Sequence, residues 1–563
     1  MNTSNHPEPL VTVRVMLGFG RRRRTLAHQL RGVSLELARR SHGRVVVIAG
    51  SPARLTELRV ADHVPSGVRV SELVGLSVEE MDRELSAYSG SGLLVVDARP
   101  SVGATQLRAF ERLFLHLGKG DVWIALRSQR VPPDKRERLV DLAGRFEAHG
   151  PRGLQTRWRE HRRSVGRVEV AAAAVLFEKN RPHLLKVRDV GAVELLNARE
   201  PGLRVSELAS RAAGTITRAA MTDVGAVPQP AFPEELAYPE ARVRRYDGRV
   251  ALPAASVAVH GRSVLPDSFR WHLTELPVAN WLRDVDGRLA RPRSGSMPAG
   301  EHLTGSYYFF GYNNPGHFGH LMTEAVSKLW GWDAAKAEDP DLKMLCREHP
   351  KRPGSVSGRL ENVLLPAYGI DPADIVWATG PVTVDHLVGA TPLWHNAPPY
   401  YVHPDLVRDW RRLRDGLPQV TVPPQPKVFV TRPMGANRSC RNGADVESLF
   451  ASHGFAVLRP ETLTIPEQAA LFAQARVVAG FGGSGMFNLL YADALEHVLV
   501  LNQSEYWGRS EHLFATALGV DSHFFWSVPD GGHPAGSYPA HQADWEFDFA
   551  GNREPLESLL GSL

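Results

Sequence analysis

The chain has 563 residues, 43% hydrophobic and 23% charged, with 66 Lys and Arg against 61 Asp and Glu and a formal net charge of +5. That length exceeds one ordinary core and implies three or four domains of roughly 100–200 residues. The near balance of acids and bases excludes a polybasic nucleic-acid binder. Only two cysteines, Cys346 and Cys440, are present, which excludes a disulfide framework and a cysteine-rich zinc site. The opening MNTSNHPEPLVTV lacks the charged-then-apolar order of a signal peptide, and no apolar run reaches the ~18–20 residues that a membrane helix needs. The expected compartment is the cytoplasm.

Strand and helix signals alternate over residues 1–150. VTVRVML (11–17) reads as a strand, followed by GFG and the basic RRRRTLAHQL; RVVVIAG (44–50), GLLVVDARP (92–100) and DVWIALR (121–127) are further strands. Apolar runs joined by helical segments predict a doubly wound α/β domain. The order of VVVIAGSPARL, LLVVDARP and FERLFLHLGKGDVWIAL resembles a degenerate class I methyltransferase domain. Its first loop has only Gly18 and Gly20, then Arg21 to Arg24, and Ala49–Gly50 replace the acidic residue expected to meet a ribose. A structural or interaction domain is the expectation, with the arginines as a solvated face and a phosphate or anionic-surface contact left open.

Residues 151–300 are less regular. HLLKVRDVGAVELLNAREPGLRV predicts a strand and a helix, and the Pro, Gly and Ala content of residues 213–240 predicts a linker. Short β-like pieces follow: RVRRY, RVALPAASVAVHG and SFRWHL. From Gly305 the pattern sharpens: SYYFFGY is a strand, GHFGHLMTEAVSKLWGW an amphipathic helix, ENVLLPAYGI a helix and DIVWATG a strand. After PPQP come KVFVTR (strand), DVESLFASHG (helix closed by Gly454), FAVLRP (strand), IPEQAALFAQA (helix), RVVAGFGGSGMFNLLYAD (strand, glycine loop, helix) and HVLVLN (strand).

Three segments carry candidate chemistry. In the glycine loop, Gly480, Gly482, Gly483 and Gly485 crowd the turn between a strand and a helix. Such glycines let backbone N–H groups approach an anion at a helix N-terminus; a tight turn that binds nothing has the same composition. VTRPMGANRSCRNG sets Arg432, Arg438, Arg441 and Asn442 after a strand, where ligands bind in open α/β sheets and guanidinium forks match phosphate. Surface arginines are the plainer reading of any one of them. In GHFGHLMTEAVSKLWG, His317, His320 and Glu324 fall at i, i+3 and i+7 on one arc of a helix. A carboxylate beside a histidine orients it and raises its basicity, as a general base requires, although the same pair could cap or crosslink the helix. Metal binding is not expected from this spacing.

Together these segments resemble glycosyltransferase family 61, the inverting enzymes of capsular polysaccharide type. The resemblance runs in order from FGHLMTEAVSKLW through ENVLLPAYGIDPADIVWATG to KVFVTRPMGANRSCRNG and RVVAGFGGSGMFNLLYAD, over about residues 300–510. It implies an α/β fold with a GT-B-like pair of Rossmann-like domains in addition to the N-terminal doubly wound α/β domain. The corresponding division is 1–150, a linker and start of the acceptor-side domain at 151–300, the acceptor-side domain at 301–422, and the nucleotide-sugar domain with its tail at 423–563. It implies transfer of a sugar from a nucleotide-sugar donor to a glycan or other hydroxyl acceptor, in capsule or cell-surface polysaccharide synthesis. The donor is a substrate, and no cofactor or metal is implied.

Matched position by position, His320 and Glu324 fit the family's HxxxE, with Lys328 where arginine is usual. They are the expected catalytic pair. Arg432, Arg438, Asn442, Gly482, Gly483, Ser484, Gly485 and Asn488 are the expected donor-binding residues, and Glu467 and Gln468 match the family's EQ. Two departures stand in the donor region: Gly482 replaces a histidine, and Val500 stands where a ribose-binding glutamate is usual, with Asn502 or Glu505 as substitutes. A catalytically inactive binding or scaffold protein on the same fold therefore stays open. So does methyl transfer by the first domain, and so does peripheral association with a membrane-bound glycan assembly.

Overall fold

The structure is a computed structural model that describes residues 12–13, 44–58, 68–88, 92–127, 135–148, 158–170, 174–227, 231–269, 281–285, 287–293, 298–348, 359–432, 435 and 438–563. It divides into two compact units, Met1–Val205 with Val259–Met297, and Ser206–Ala258 with Pro298–Leu563. No helix among the described residues is long and apolar enough to cross a membrane.

The first unit holds a seven-stranded sheet. Its parallel strands Arg69–Val74, Arg44–Ala49, Leu93–Asp97 and Val122–Leu126 are followed by Ala174–Lys179, antiparallel to its neighbours, then Val165–Val170 and Thr12–Val13. The central runs VVVIA, LLVVD and VWIAL are buried throughout, as strands covered on both faces must be. Thr12–Val13, the described part of VTVRVML, joins the edge beside Val165–Val170. Gly18, Gly20 and Arg21 to Arg24 lie outside the described residues, as does most of SFRWHL. Leu184–Lys186 and Ala192–Arg199 form the expected strand and helix.

Two large sheets carry most of the described strands of the second unit. The first is built from β1 (Ala241–Ala254), β2 (Glu301–Phe309), β3 (Lys343–Arg347), β4 (Ile375–Ala378) and β5 (Val382–Ala390), in the order β1-β5-β2-β3-β4. Strands β2 to β5 are mutually parallel where they pair, and β1 runs antiparallel to β5. The second sheet is built from β6 (Lys427–Val430), β7 (Ala456–Leu458), β8 (Val477–Phe481), β9 (His497–Gln503) and β10 (Asp521–Ser527), in the order β7-β6-β8-β9-β10, all parallel.

Both sheets reverse their winding once, the first between β2 and β5 and the second between β6 and β8. In doubly wound sheets the crevice at the carboxyl ends of the strands flanking that reversal is where ligands bind. The segment that leaves β2 carries His317, His320 and Glu324. The segments that leave β6 and β8 carry Arg432 and the glycine loop. A single core joins the two sheets, with Tyr308, Leu321, Trp410, Val430, Met486 and Phe514 in one buried cluster.

Residues 213–240, expected as a linker, contain three short strands. Gly214–Thr217 pairs with Glu235–Tyr238, and Met221–Gly225 adds a sixth parallel strand beside β10. The strands are four or five residues long, so the Gly, Pro and Ala between them dominate any composition window. Their edges become useful only once β10 is present to pair with.

Candidate functional site

The site begins where β2 ends. Tyr312 donates its hydroxyl hydrogen to Glu361 Oε1 (2.6 Å) and accepts from Gly316 N–H (2.7 Å), which fixes the turn in which Gly316 adopts φ +82°. His317 then caps the helical segment: its Nδ1 accepts from His320 N–H at 3.4 Å. Burial, the neighbouring His320 and the charge of Arg438 hold the His317 imidazolium below its ordinary pKa.

The expected amphipathic helix is helical but not uniform. Phe318–His320 forms one α-turn, Leu321–Ala325 widens to a π-turn, Val326–Gly331 tightens to 3-10, and Trp332–Glu338 is α again. The reason is burial on nearly every side: Leu321, Ala325 and Leu329 are fully enclosed, and Lys328 is buried as well. No polar face is left to guide a regular period, so packing decides the local pitch. Lys328 donates to Gly311 O (2.8 Å) and lies over the Phe309 ring, which secures the end of β2.

His320 Nδ1 stands 2.8 Å from Glu324 Oε1, and Glu324 Oε2 accepts from Asn313 N–H at 3.0 Å. A carboxylate only accepts, so Nδ1 carries the hydrogen and Nε2 of the neutral ring is left as the acceptor. The pair is partly exposed, with side-chain accessibilities of 26% and 14%. Gly319 brings this turn against the glycine loop: a Cβ there would lie 3.2 Å from Ser484 Cβ and 3.1 Å from the Phe487 ring.

Across that contact, Arg432 Nη1 donates to Gly482 O at 3.0 Å. Arg438 adopts φ +62°, a left-handed conformation uncommon outside glycine, and its guanidinium lies 4.6 Å from the centre of the Tyr506 ring. Gly483 makes the approach of both arginines feasible. A Cβ on it would lie 2.6 Å from Arg432 Nη1 and 3.7 Å from Arg438 Nη2, and its φ of +146° suits only glycine. Burial, together with the charge of Arg438, pushes Arg432 below the ordinary guanidinium pKa. Two guanidinium groups this close favour an anion. Ser484 and Gly485 are the partly exposed residues of the loop.

The family model described as Glycosyltransferase 61 matches residues 318–499. No curated protein matches the chain. The glycosyltransferase 61 segment opens on the helical turn of His320 and Glu324 and closes within β9, so it holds the arginine segment and the glycine loop. The family match supports glycosyltransferase activity in general.

Within the glycosyltransferase 61 segment the structure separates the expected site residues by their surroundings. His320 and Glu324 pair on a turn that packs against Ser484 of the glycine loop, and Arg432 and Arg438 approach Gly482 and Gly483 of the same loop. Asn442 has partners elsewhere: its Nδ2 donates one hydrogen to Phe547 O (2.9 Å) and its Oδ1 accepts from Phe547 N–H (2.8 Å), so it ties the C-terminal segment down. Asn488 is fully buried and donates to Gly485 O at 3.1 Å, which supports the loop from behind. Glu467 closes a capping box with Thr464, and Gln468 donates to Leu463 O, so both organise the helix Ile465–Gln474. At the second departure, Val500 is enclosed in the core, and Glu505 accepts from Gly536 N–H at 2.6 Å.

Sequence reasoning missed Glu511 and Tyr506. Glu511 is 1% exposed and accepts from Gly483 N–H at 2.6 Å, beside both arginines. Its one sequence signal is a carboxylate opening the apolar helix SEHLFATAL, and that reads equally well as a solvated first turn.

Proposed function

We propose that the chain is an inverting glycosyltransferase that moves a sugar from a nucleotide-sugar donor to a hydroxyl of a glycan acceptor, in capsule or cell-surface polysaccharide synthesis. The observation that supports this reading is the contact of the His320 turn with the glycine loop at Ser484, which sets the histidine–carboxylate pair next to the loop that Arg432 holds. The two doubly wound sheets of the second unit support a GT-B-like arrangement, with the acceptor against the β2 side and the donor against the β6–β8 side.

In this reaction the acceptor O–H gives its proton to His320 Nε2 as its oxygen attacks the anomeric carbon in line. The bond from that carbon to the diphosphate oxygen breaks, and the nucleoside diphosphate leaves. Glu324 holds the ring in the needed tautomer and stabilises the imidazolium that forms. Arg432, Arg438 and the N–H groups at Ser484 and Gly485 stabilise the charge that develops on the leaving group. The reading also has the protein in the cytoplasm, peripheral to the inner face of a membrane, where lipid-linked acceptors are held.

A donor screen tests it: each nucleotide sugar is incubated with the chain and with His320→Ala, and nucleoside diphosphate release is followed by mass spectrometry. Release by the wild type and not by the variant supports the proposal; no binding or release with any donor defeats it. A second reading, a binding or scaffold protein on the same fold, is favoured by a loop whose polar groups already have partners: Gly482 N–H on Leu501 O, Gly483 N–H on Glu511, and Arg432 on Gly482 O. Donor binding without release would select it.

A further inference from the structure

Glu511 sits in the glycine loop's own anion position. Its Oε1 takes the Gly483 N–H at 2.6 Å, at the loop expected to cradle a phosphate, and its carboxyl is enclosed at the first turn of the helix Ser510–Leu518. The charged and titratable groups around it are Arg432 and Arg438 from the segment after β6 and Tyr506 from the segment after β9. Glu461 acts on Arg432, and His317 faces Arg438. On its own helix, His512 turns away and stacks on Phe232 at 4.7 Å. Arg438 Nε is buried without a hydrogen-bond partner, so Arg438 has a donor left for a further acceptor.

We infer that Glu511 is the internal counter-anion of this site and that it takes up a proton from solvent when the diphosphate of a nucleotide donor binds to Arg432 and Arg438. The inference rests on the proposed donor role of the two arginines. Its physical basis is that a carboxylate and a diphosphate cannot both stay fully ionised against the same two cations in a desolvated site. The carboxyl is the member that yields, because burial has already pushed its pKa up to about 7. Once protonated, it still accepts from Gly483 N–H through its carbonyl oxygen, so the loop keeps its shape while the competing charge disappears. Glu511 is thus a positioning residue whose ionisation sets donor affinity.

The test is calorimetric titration of the full chain and of Glu511→Gln with UDP, GDP and inorganic pyrophosphate, in two buffers of different ionisation enthalpy, just above the Glu511 value of about 7. The difference between the two heats gives the protons exchanged. The wild type is expected to take up more protons per ligand than the variant. Its affinity is expected to fall by up to about tenfold per pH unit above that value, relative to a flatter profile for Glu511→Gln. Binding with equal proton counts and parallel pH profiles overturns the inference and leaves the donor reading standing. No binding of any of the three probes by either protein overturns both. If Glu511→Gln does not fold, the wild-type count decides: capture of the probe's phosphates by arginine releases protons, so net uptake supports the inference and net release overturns it.

Discussion

Gly482 and Asn502 share one volume. A Cβ on Gly482 would lie 2.0 Å from Asn502 Nδ2, and Asn502 is itself 2% exposed at the end of β9. The Asn502 amide therefore fills the space that a side chain at position 482 would take. Gly482→Ala alone is expected to destabilise the chain by about 1–3 kcal/mol, because the buried Asn502 amide must move. Asn502→Ala is expected to recover much of that loss. Denaturant unfolding of the two single variants and the double variant measures the coupling; simple additivity would mean that the two residues do not compete.

His320→Ala is expected to lower turnover by about 10²–10⁴-fold while nucleotide affinity stays close to wild type, since the lost group acts on the acceptor proton and not on the diphosphate. Glu324→Gln is expected to lower turnover less, because the amide can offer its NH₂ to Nδ1 and so favour the wrong tautomer in part of the population. Turnover and donor affinity measured on the same preparations check both; unchanged turnover in His320→Ala would remove this residue from the base role.

Arg438 and Asn442 lie four residues apart and are expected to fail differently. Arg438→Ala should weaken nucleotide binding by about 1.5–3 kcal/mol, the range of a charge-assisted hydrogen bond. Asn442→Ala should lower stability by about 1–3 kcal/mol through the two Phe547 peptide groups it leaves without a side-chain partner, with donor affinity little changed in the folded fraction. Paired unfolding and binding measurements separate the outcomes, and the reverse pattern would exchange the two roles.

Glu511 also predicts how stability depends on pH. Its folded pKa, about 7, is above the ordinary glutamate value of 4.5, so the neutral form is the one the fold prefers. The stabilisation is fully present below about 4.5 and is lost as pH rises through about 7. The stability difference between wild type and Glu511→Gln should therefore move against the wild type over that window. Unfolding curves across the window measure it, and a constant difference would mean that the carboxyl does not titrate there.

Much of the second unit was legible in the chain. The strand and helix order from SYYFFGY to HVLVLN is local information: apolar runs bounded by glycine or proline, and helices with caps such as Thr464 and Glu467. The His320–Glu324 pairing was equally local, because residues four apart on a helical turn must meet. The separation of Arg438 from Asn442 was not. Both are polar residues in one loop, and only the arrival of Phe547, more than a hundred residues later in the chain, engages the asparagine.

The sequence by itself determined most of the strands from Gly305 onward, which turns require glycine, and that a histidine, a carboxylate and a pair of arginines follow strand ends. Tertiary structure decided which of them meet at the glycine loop. The order of the strands in each sheet puts β2, β6 and β8 at the two winding reversals. The approach of Gly319 to Ser484 then brings those reversals together. Glu511 shows the physical reason most plainly. A carboxylate at the start of a helix is soluble and unremarkable in one dimension. Enclosed beside Gly483, Arg432 and Arg438, it becomes a titratable part of the site, because desolvation and the nearest charges are properties of the packed molecule.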